Sequence, residues 1–459
     1  MSPDELARTT AFSGLKAYSY LKHLAVTIGP RWTGSATEHT AARHIAKMFR
    51  SFGLKTSLQR FPVRTFSNSK CTFQVKRRGK WKTIAIQPVC MTASVRNLSG
   101  KIHYLESAAR ECWSDDMAGK IILTPDRHQP ADRPLLIRKY KPKAWILIES
   151  GLGPEPVRFA MPHDERQAFG DIPHARMTHL DALEIVKHGL TEARMTMINS
   201  DRASYSLNVV GEVKGSDYPD EIVVVCAHYD SSFGISGASD NAAGSAVMLD
   251  LARVLAAAKP RRTLRFIAFA AEETRMQGSK HYGWDLTKRA ERQKKRKSFN
   301  DKTDKTDLDK HVFCLNIDVQ GAIIGRHSFS FSGVEDIGAS VRLLAKEVGL
   351  PANVSKGAGM MDGSALAAVG IPALQFARSA ATGGYMHTSL DDIRFLSADA
   401  LAKAGKFVEL YLRRYFVDAR ALPFPREIPQ DQAKELAGFK KSHPKPRKTG
   451  KKRARNPGR

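Results

Sequence analysis

Residues 221–230 read EIVVVCAHYD. The unbroken apolar run from Ile222 to Ala227 suits a strand buried on both faces, as in a parallel sheet. It closes on His228 and Asp230. The pattern repeats downstream. LRFIAFAAEE (264–273) is a second apolar strand with acids at its end, VFCLNID (312–318) a third, and IPALQF (371–376) a further short one. Between the first two, DNAAGSAVMLDLARVLAAA (240–258) places Val247, Leu251, Val254, Leu255 and Ala258 on one helical face. Leu396–Ala419 reads as a long closing helix. Apolar strands alternating with helices predict an α/β fold, a mainly parallel or mixed sheet covered by helices on both faces. In such sheets functional groups gather beyond the carboxyl ends of the strands.

Upstream, residues 12–65 read helix, helix, strand: Ala41, Ile45, Met48 and Phe49 share a helical face, Gly53 stops the helix, and Thr56–Val63 alternates. From 85 to 205 the texture changes to short β-like runs such as GKIIL and AWILIE between polar and proline-containing turns. The expected organisation is therefore residues 1–84 as the first part of the main domain, 85–205 as an inserted β-rich domain, 206–420 as the core, and 421–459 as a basic tail. A charged surface loop at 288–310 interrupts the core.

The chain has 459 residues and a formal charge of +27. Residues 440–459 hold ten Lys and Arg and no acid, and 288–310 holds ten basic and five acidic residues. A tail of this kind is solvated and can hold nucleic acid or an anionic surface through counterion release. No aromatic residue follows Phe439, which argues against base stacking. No apolar run of 18 residues occurs, which argues against a membrane span. The amino-terminal stretch lacks the pattern of a secretory signal, so a cytoplasmic protein is expected. The five cysteines are scattered without metal or redox spacing and read as buried free thiols, in keeping with a reducing compartment.

Acids and histidines recur where the strands end: His228 and Asp230, Asp240, Glu272 and Glu273, Asp318, and His387 in MHTSLDD. Singly each has a plain explanation. Asp240, for instance, would open a helix as its N-cap. Together they offer two imidazoles and several carboxylates at one sheet edge, without a thiolate. That set suits zinc, and less selectively manganese or cobalt. Five ligands exceed the need of one tetrahedral ion with an open position, and two ions sharing a carboxylate account for the number. Of the paired glutamates, one can bind metal while the other handles a proton. Asp230, two residues from His228, is placed to fix that imidazole's tautomer.

AHYDS, SDNAAGSA, AAEE followed by Gly278-Ser279, NID and HTSLDD, in this order and spacing, resemble the M28 metallopeptidase family. GIPALQF and the opening segment IGPRWTGSATEHTAARHIAKMFRSFGLKT fit as well, and 85–205 is similar to the protease-associated domain that many members carry as an insertion. The resemblance implies a zinc-exopeptidase fold and an aminopeptidase with two zinc ions and peptide substrates. His228 and Asp318 would hold one ion, Glu273 and His387 the other, and Asp240 would bridge them. Glu272 would be the general base. Asp230 and Asp391 would orient the ligands, and Asp362, in MMDG, matches a family aspartate. The chain departs from the family where Arg275 and Met276 replace Gly-Leu, and where Met386 precedes the last histidine. Tyr385 is left as the oxyanion candidate. A carboxypeptidase or dipeptidase on the same scaffold would need a cationic pocket, for which Arg275, Arg326 and Arg378 are candidates. An inactive scaffold and a nucleic-acid-binding adaptor acting through the tail are the readings from other classes.

Overall fold

A computed structural model describes residues 9–125, 132–161, 166, 169–296, 300, 304–380 and 386–441. Tyr385 and the residues beyond 441 lie outside them, and with the latter goes the anionic-partner expectation; the tail expected from 421 starts later, because Gln430–Lys441 is helical and its Leu436 is buried in the core. The first two helices named among the described residues are Gly14–Lys22 (α1) and Ala36–Ser51 (α2). Two long strands, Lys55–Arg77 (β1) and Glu192–Val213 (β8), bracket the next unit. It contains Lys80–Ile84 (β2), Ile86–Pro88 (β3), Val95–Tyr104 (β4), Ile121–Pro125 (β5), Arg133–Tyr140 (α3), Ala144–Ile148 (β6), His174–Met177 (β7) and His179–Lys187 (α4). There follow Tyr218–His228 (β9), Gly244–Ala256 (α5), Arg262–Phe269 (β10), Gln277–Lys294 (α6), His311–Ile317 (β11) and Gly325–Ser332 (β12). Glu335–Glu347 (α7), Ala352–Lys356 (β13), Asp362–Ala367 (α8), Ala373–Ala380 (β14), Ala398–Leu412 (α9) and Gln430–Lys441 (α10) complete the described chain.

The sheet runs β13-β12-β14-β11-β9-β10-β8-β4-β5-β6-β7-β3, with β1 paired along nearly the whole length of β8 and with β2. Strands β10, β9, β11 and β14 are mutually parallel. On either side of them β8 and β12 run antiparallel, so the core sheet is mixed. The apolar run of β9 is explained by its two faces. Val223 and Val225 pack into the core beneath α1, α2, α5 and α9, while Ile222, Val224 and Cys226 face the core under α6, α8 and α10. Side chains alternate across a strand, so covering both faces requires apolar residues at every position.

β1 and β8 pair from Lys55↔Glu212 to Val75↔Ala193, with one register shift between Asn68 and Lys70. At about 3.3 Å per residue each spans ~75 Å, longer than one core needs. Phe61, Val63, Leu207 and Val209 pack into the first core, whereas Phe73, Val75, Met195 and Met197 pack into a second one with Ile121, Ile146 and Met177. The bracketed unit thus draws on residues on both sides of position 85. Of the cysteines, Cys90, Cys226 and Cys314 are buried, Cys71 is half-buried and Cys112 is exposed; all are free. Among the described residues no helix is long and apolar enough to cross a membrane.

Candidate metal centre

The parallel strands end side by side, and the loops after them are stitched together. Ser245 Oγ donates to the carbonyl of His228 at 2.7 Å, fixing the end of β9. Asn241 Nδ2 donates to the carbonyl of Ile317 at 2.9 Å, at the end of β11, and its Oδ1 accepts the amide of Gly244. Gly244 is obligatory here, because a Cβ would stand 2.1 Å from Asn241 Oδ1 and 2.6 Å from the Ile317 carbonyl. Residues 240 and 241 have non-helical backbone angles, and regular helix begins at Gly244. Asp240 is therefore not a helix N-cap, the plain explanation open to it when taken singly. Asn241 accepts the Gly244 amide in the loop instead, which releases the Asp240 carboxylate for other partners.

Those partners are two imidazoles. Asp240 Oδ1 lies 3.1 Å from His228 Nε2, and Asp240 Oδ2 lies 3.1 Å from His387 Nε2. His228 Nε2 is also 3.2 Å from Asp318 Oδ1, and His387 Nε2 is 3.3 Å from Glu273 Oε2. Two groups result, His228–Asp240–Asp318 and Asp240–Glu273–His387, each with its ligand atoms within 4.8 Å of one another and with Asp240 common to both.

The electrostatics call for cations. Asp230, Asp240, Glu272, Glu273, Asp318, Asp362 and Asp391 converge on two histidines. Burial pushes the His228 imidazole down, but Asp318, Asp230 and Asp240 together hold it well above the ordinary range. Burial likewise opposes the His387 charge, and Glu273 and Asp240 raise it to about 9. Burial, followed by the Asp240 charge, lifts Glu273 to about 7 against the pull of His387. The same excess of carboxylates that favours charge on the imidazoles would favour divalent ions, which compete with protons for these ligand atoms. Glu273 Oε1 is buried without a hydrogen-bond partner, as a ligand atom would be. Nitrogen and oxygen donors without thiolate fit zinc and its near neighbours.

The supporting residues divide the work. Asp230 stands 3.5 Å from His228 Nδ1, too long for an ordinary hydrogen bond. Its carboxylate instead accepts the backbone amides of Glu272 at 3.0 Å and Glu273 at 3.2 Å, which fixes the turn carrying both glutamates. Gly278 lets α6 approach that turn, since a Cβ would meet the Ala270 carbonyl at 2.2 Å. Arg275 and Met276 follow in left-handed conformation, φ +75° and +56°, so a glycine at the first of them would be the unstrained choice. Asp391 accepts the amides of Ser239 at 2.7 Å and Asp240 at 3.1 Å. Its neighbour Asp392 turns outward to Arg394. Asp362 is buried at the start of α8, outside both ligand groups, and burial, ahead of the charges of Asp318 and Asp230, raises it to about 7. Burial also raises Glu272 well above the ordinary range, with Asp362, Asp318 and Glu273 adding to the effect against His228.

Other contributors carry no sequence pattern that singles them out. Ser232 Oγ donates to Glu273 Oε2 at 2.6 Å. Arg31 is fully buried, and its guanidinium donates to the carbonyls of Leu24, Gly29, Tyr229, Ser236 and Gly237, binding the 229–237 loop to the amino-terminal helices. The arginine is legible only as part of IGPRWTG.

A metal-dependent hydrolase is the class that this sheet and this set of carboxylates and imidazoles define. Residues 208–412 match the model of peptidase family M28. Aminopeptidase YwaD of Bacillus subtilis is 26% identical over 415 residues, which cover 87% of this chain and 84% of that protein. The solved zinc aminopeptidase BSAP of Bacillus subtilis superposes with a TM-score of 0.70 at 24% identity, over 92% of this chain and 99% of its own. A peptidase M28 precursor from Shewanella amazonensis gives a TM-score of 0.74 at 19% identity, over 93% and 98%. The fold expected from the sequence is thus shared along nearly the whole length of these proteins.

Proposed function

We propose that this protein is a zinc-dependent aminopeptidase that removes amino-terminal residues from peptides. The observation that carries the reading is the pair of ligand groups sharing Asp240, one oxygen to each. His228 and Asp318 would hold one zinc ion and Glu273 and His387 the other. Bound zinc supplies the charge that acidifies water and polarises a scissile carbonyl. Glu272 is in neither ligand group, and Asp230 anchors its backbone beside Glu273. From there its carboxylate takes a proton from the attacking water and returns it to the leaving amine. Similarity to the Bacillus aminopeptidase over most of both chains favours release from the amino terminus. Of the three arginines considered for a carboxypeptidase pocket, Arg378 is held elsewhere, its guanidinium nitrogens bonded to the carbonyls of Ala322 and Ile323 and to His327.

The test pairs amino-acid anilides with N-blocked dipeptides, with chelation and metal restoration. Hydrolysis of the anilides that disappears on chelation and returns with zinc is expected. Cleavage confined to the blocked dipeptides overturns the aminopeptidase reading. Glu272→Gln should keep its zinc while kcat falls by about 10²–10⁴. A fully active variant would refute the base assignment.

A further inference from the structure

The two ligand groups are held differently. His228 and Asp318 stand at the ends of adjacent core strands, where the sheet and Ser245 fix them. His387 stands in a loop after β14 and has φ +60°, a left-handed conformation that a side chain disfavours and that persists only where the surroundings over-determine it. Much of that surrounding comes from the bracketed unit, from the segment 155–159 between β6 and β7.

Arg158 donates its amide to the carbonyl of His387 at 2.9 Å. The Phe159 ring meets the His387 imidazole edge-on, with centroids 4.8 Å apart. Glu155 accepts both the amide and the hydroxyl of Ser389, the latter at 2.9 Å, and pairs with Arg158 Nη1 at 2.7 Å. Phe159 is itself held from the unit's own side. Arg176 lies over its ring at 4.9 Å and is fixed by two hydrogen bonds to Glu149. The path from the second core to the imidazole is therefore continuous.

We propose that the bracketed unit completes the His387 side of the metal centre, with Glu155 as a positioning residue that holds the His387 loop through Ser389 and Arg158. The inference rests on the two-cation reading above. It predicts an asymmetry: loss of Glu155 loosens one cation and spares the other.

The experiment titrates full-length, chelator-stripped protein with zinc and follows binding by calorimetry. Wild-type protein should take up two equivalents. Glu155→Ala should weaken one equivalent by about 10–100-fold and leave the other unchanged. His387→Ala should abolish that same equivalent. Glu155→Gln, whose amide oxygen can still accept from Ser389, should restore most of the lost affinity. Glu192→Ala, which removes an exposed ion pair with Lys76 in the same unit, should change neither equivalent. If Glu155→Ala fails to fold, Ser389→Ala, which keeps the amide bond and removes only the hydroxyl, should weaken the same equivalent by a few-fold. Two unaltered equivalents in the folded variant, or both weakened alike, overturn the inference and leave the two-cation reading standing. A wild-type protein that binds fewer than two equivalents defeats that reading itself.

Discussion

Asp240 presents one carboxylate oxygen to His387 at 3.1 Å while its other oxygen stands at the same distance from His228. A carboxylate used on both sides cannot be replaced by its amide, since an amide nitrogen repels a cation. Asp240→Asn should bind at most one zinc ion and lose kcat/KM by about a thousandfold or more, because the two ions act as a unit. Metal analysis beside steady-state kinetics checks this. Two tightly held ions in the variant would remove Asp240 from the bridging role.

Arg31 offers a prediction about support rather than chemistry. Its guanidinium serves five carbonyl oxygens in a site without water access. Burial draws its pKa down to about 10, with Asp230 and Asp391 opposing, so it remains charged. A lysine has three donors and cannot span that set. Arg31→Lys should cost about 2–4 kcal/mol in urea unfolding. It should lower kcat/KM by about tenfold through the Asp230 loop. Wild-type stability in the variant would show that the five bonds are dispensable.

His311 makes the stability of the core pH-dependent. It is fully buried at the start of β11. Its Nδ1 donates to the Asp307 carbonyl at 2.6 Å, and Arg265 Nη1 donates to its Nε2 at 3.0 Å. Burial, then Arg265, depress its pKa to about 3. The unfolded chain gains a proton below about pH 6.5 and the native state does not, so this contribution is intact above about 6.5 and is lost as pH falls toward 3. Glutamine can accept from Arg265 and donate to Asp307 without titrating. The stability advantage of wild type over His311→Gln should therefore shrink by about 2 kcal/mol between about pH 7 and pH 5. Denaturant melts at the two pH values decide it, and a constant difference would show that His311 titrates freely.

The sheet edge was readable because a doubly covered strand must be apolar at each position, and the run breaks where the chain leaves the sheet. His228, Glu273 and Asp318 stand at or just beyond those breaks. Asp240 was readable as a polar residue before a helix, but its local conformation was not. Nothing local shows that Asn241 takes over the amide of Gly244. β1 and β8 pair residues some 120–160 positions apart, a relation that no short-range pattern encodes. Arg31 looked ordinary because arginine is seldom fully buried. Glu155 and Arg158 lie in a proline-containing turn of the other unit, where only the assembled structure shows that they reach Ser389 and His387.

The long β1–β8 ribbon has a mechanical consequence. A module hung on a flexible tether swings freely, but here the two covalent links between the cores are paired with each other along almost their full length. Relative displacement of the cores must bend that ladder, and the slip in pairing at Asn68 and Lys70 is the compliant point, since such irregularities locally break hydrogen bonding and curve a strand. Amide exchange there should outpace that of the flanking residues, and uniform protection would argue for a stiff beam. Because the unit hung on this ribbon carries the segment that grips the His387 loop, flexure at this point would be felt as a displacement of His387 relative to His228.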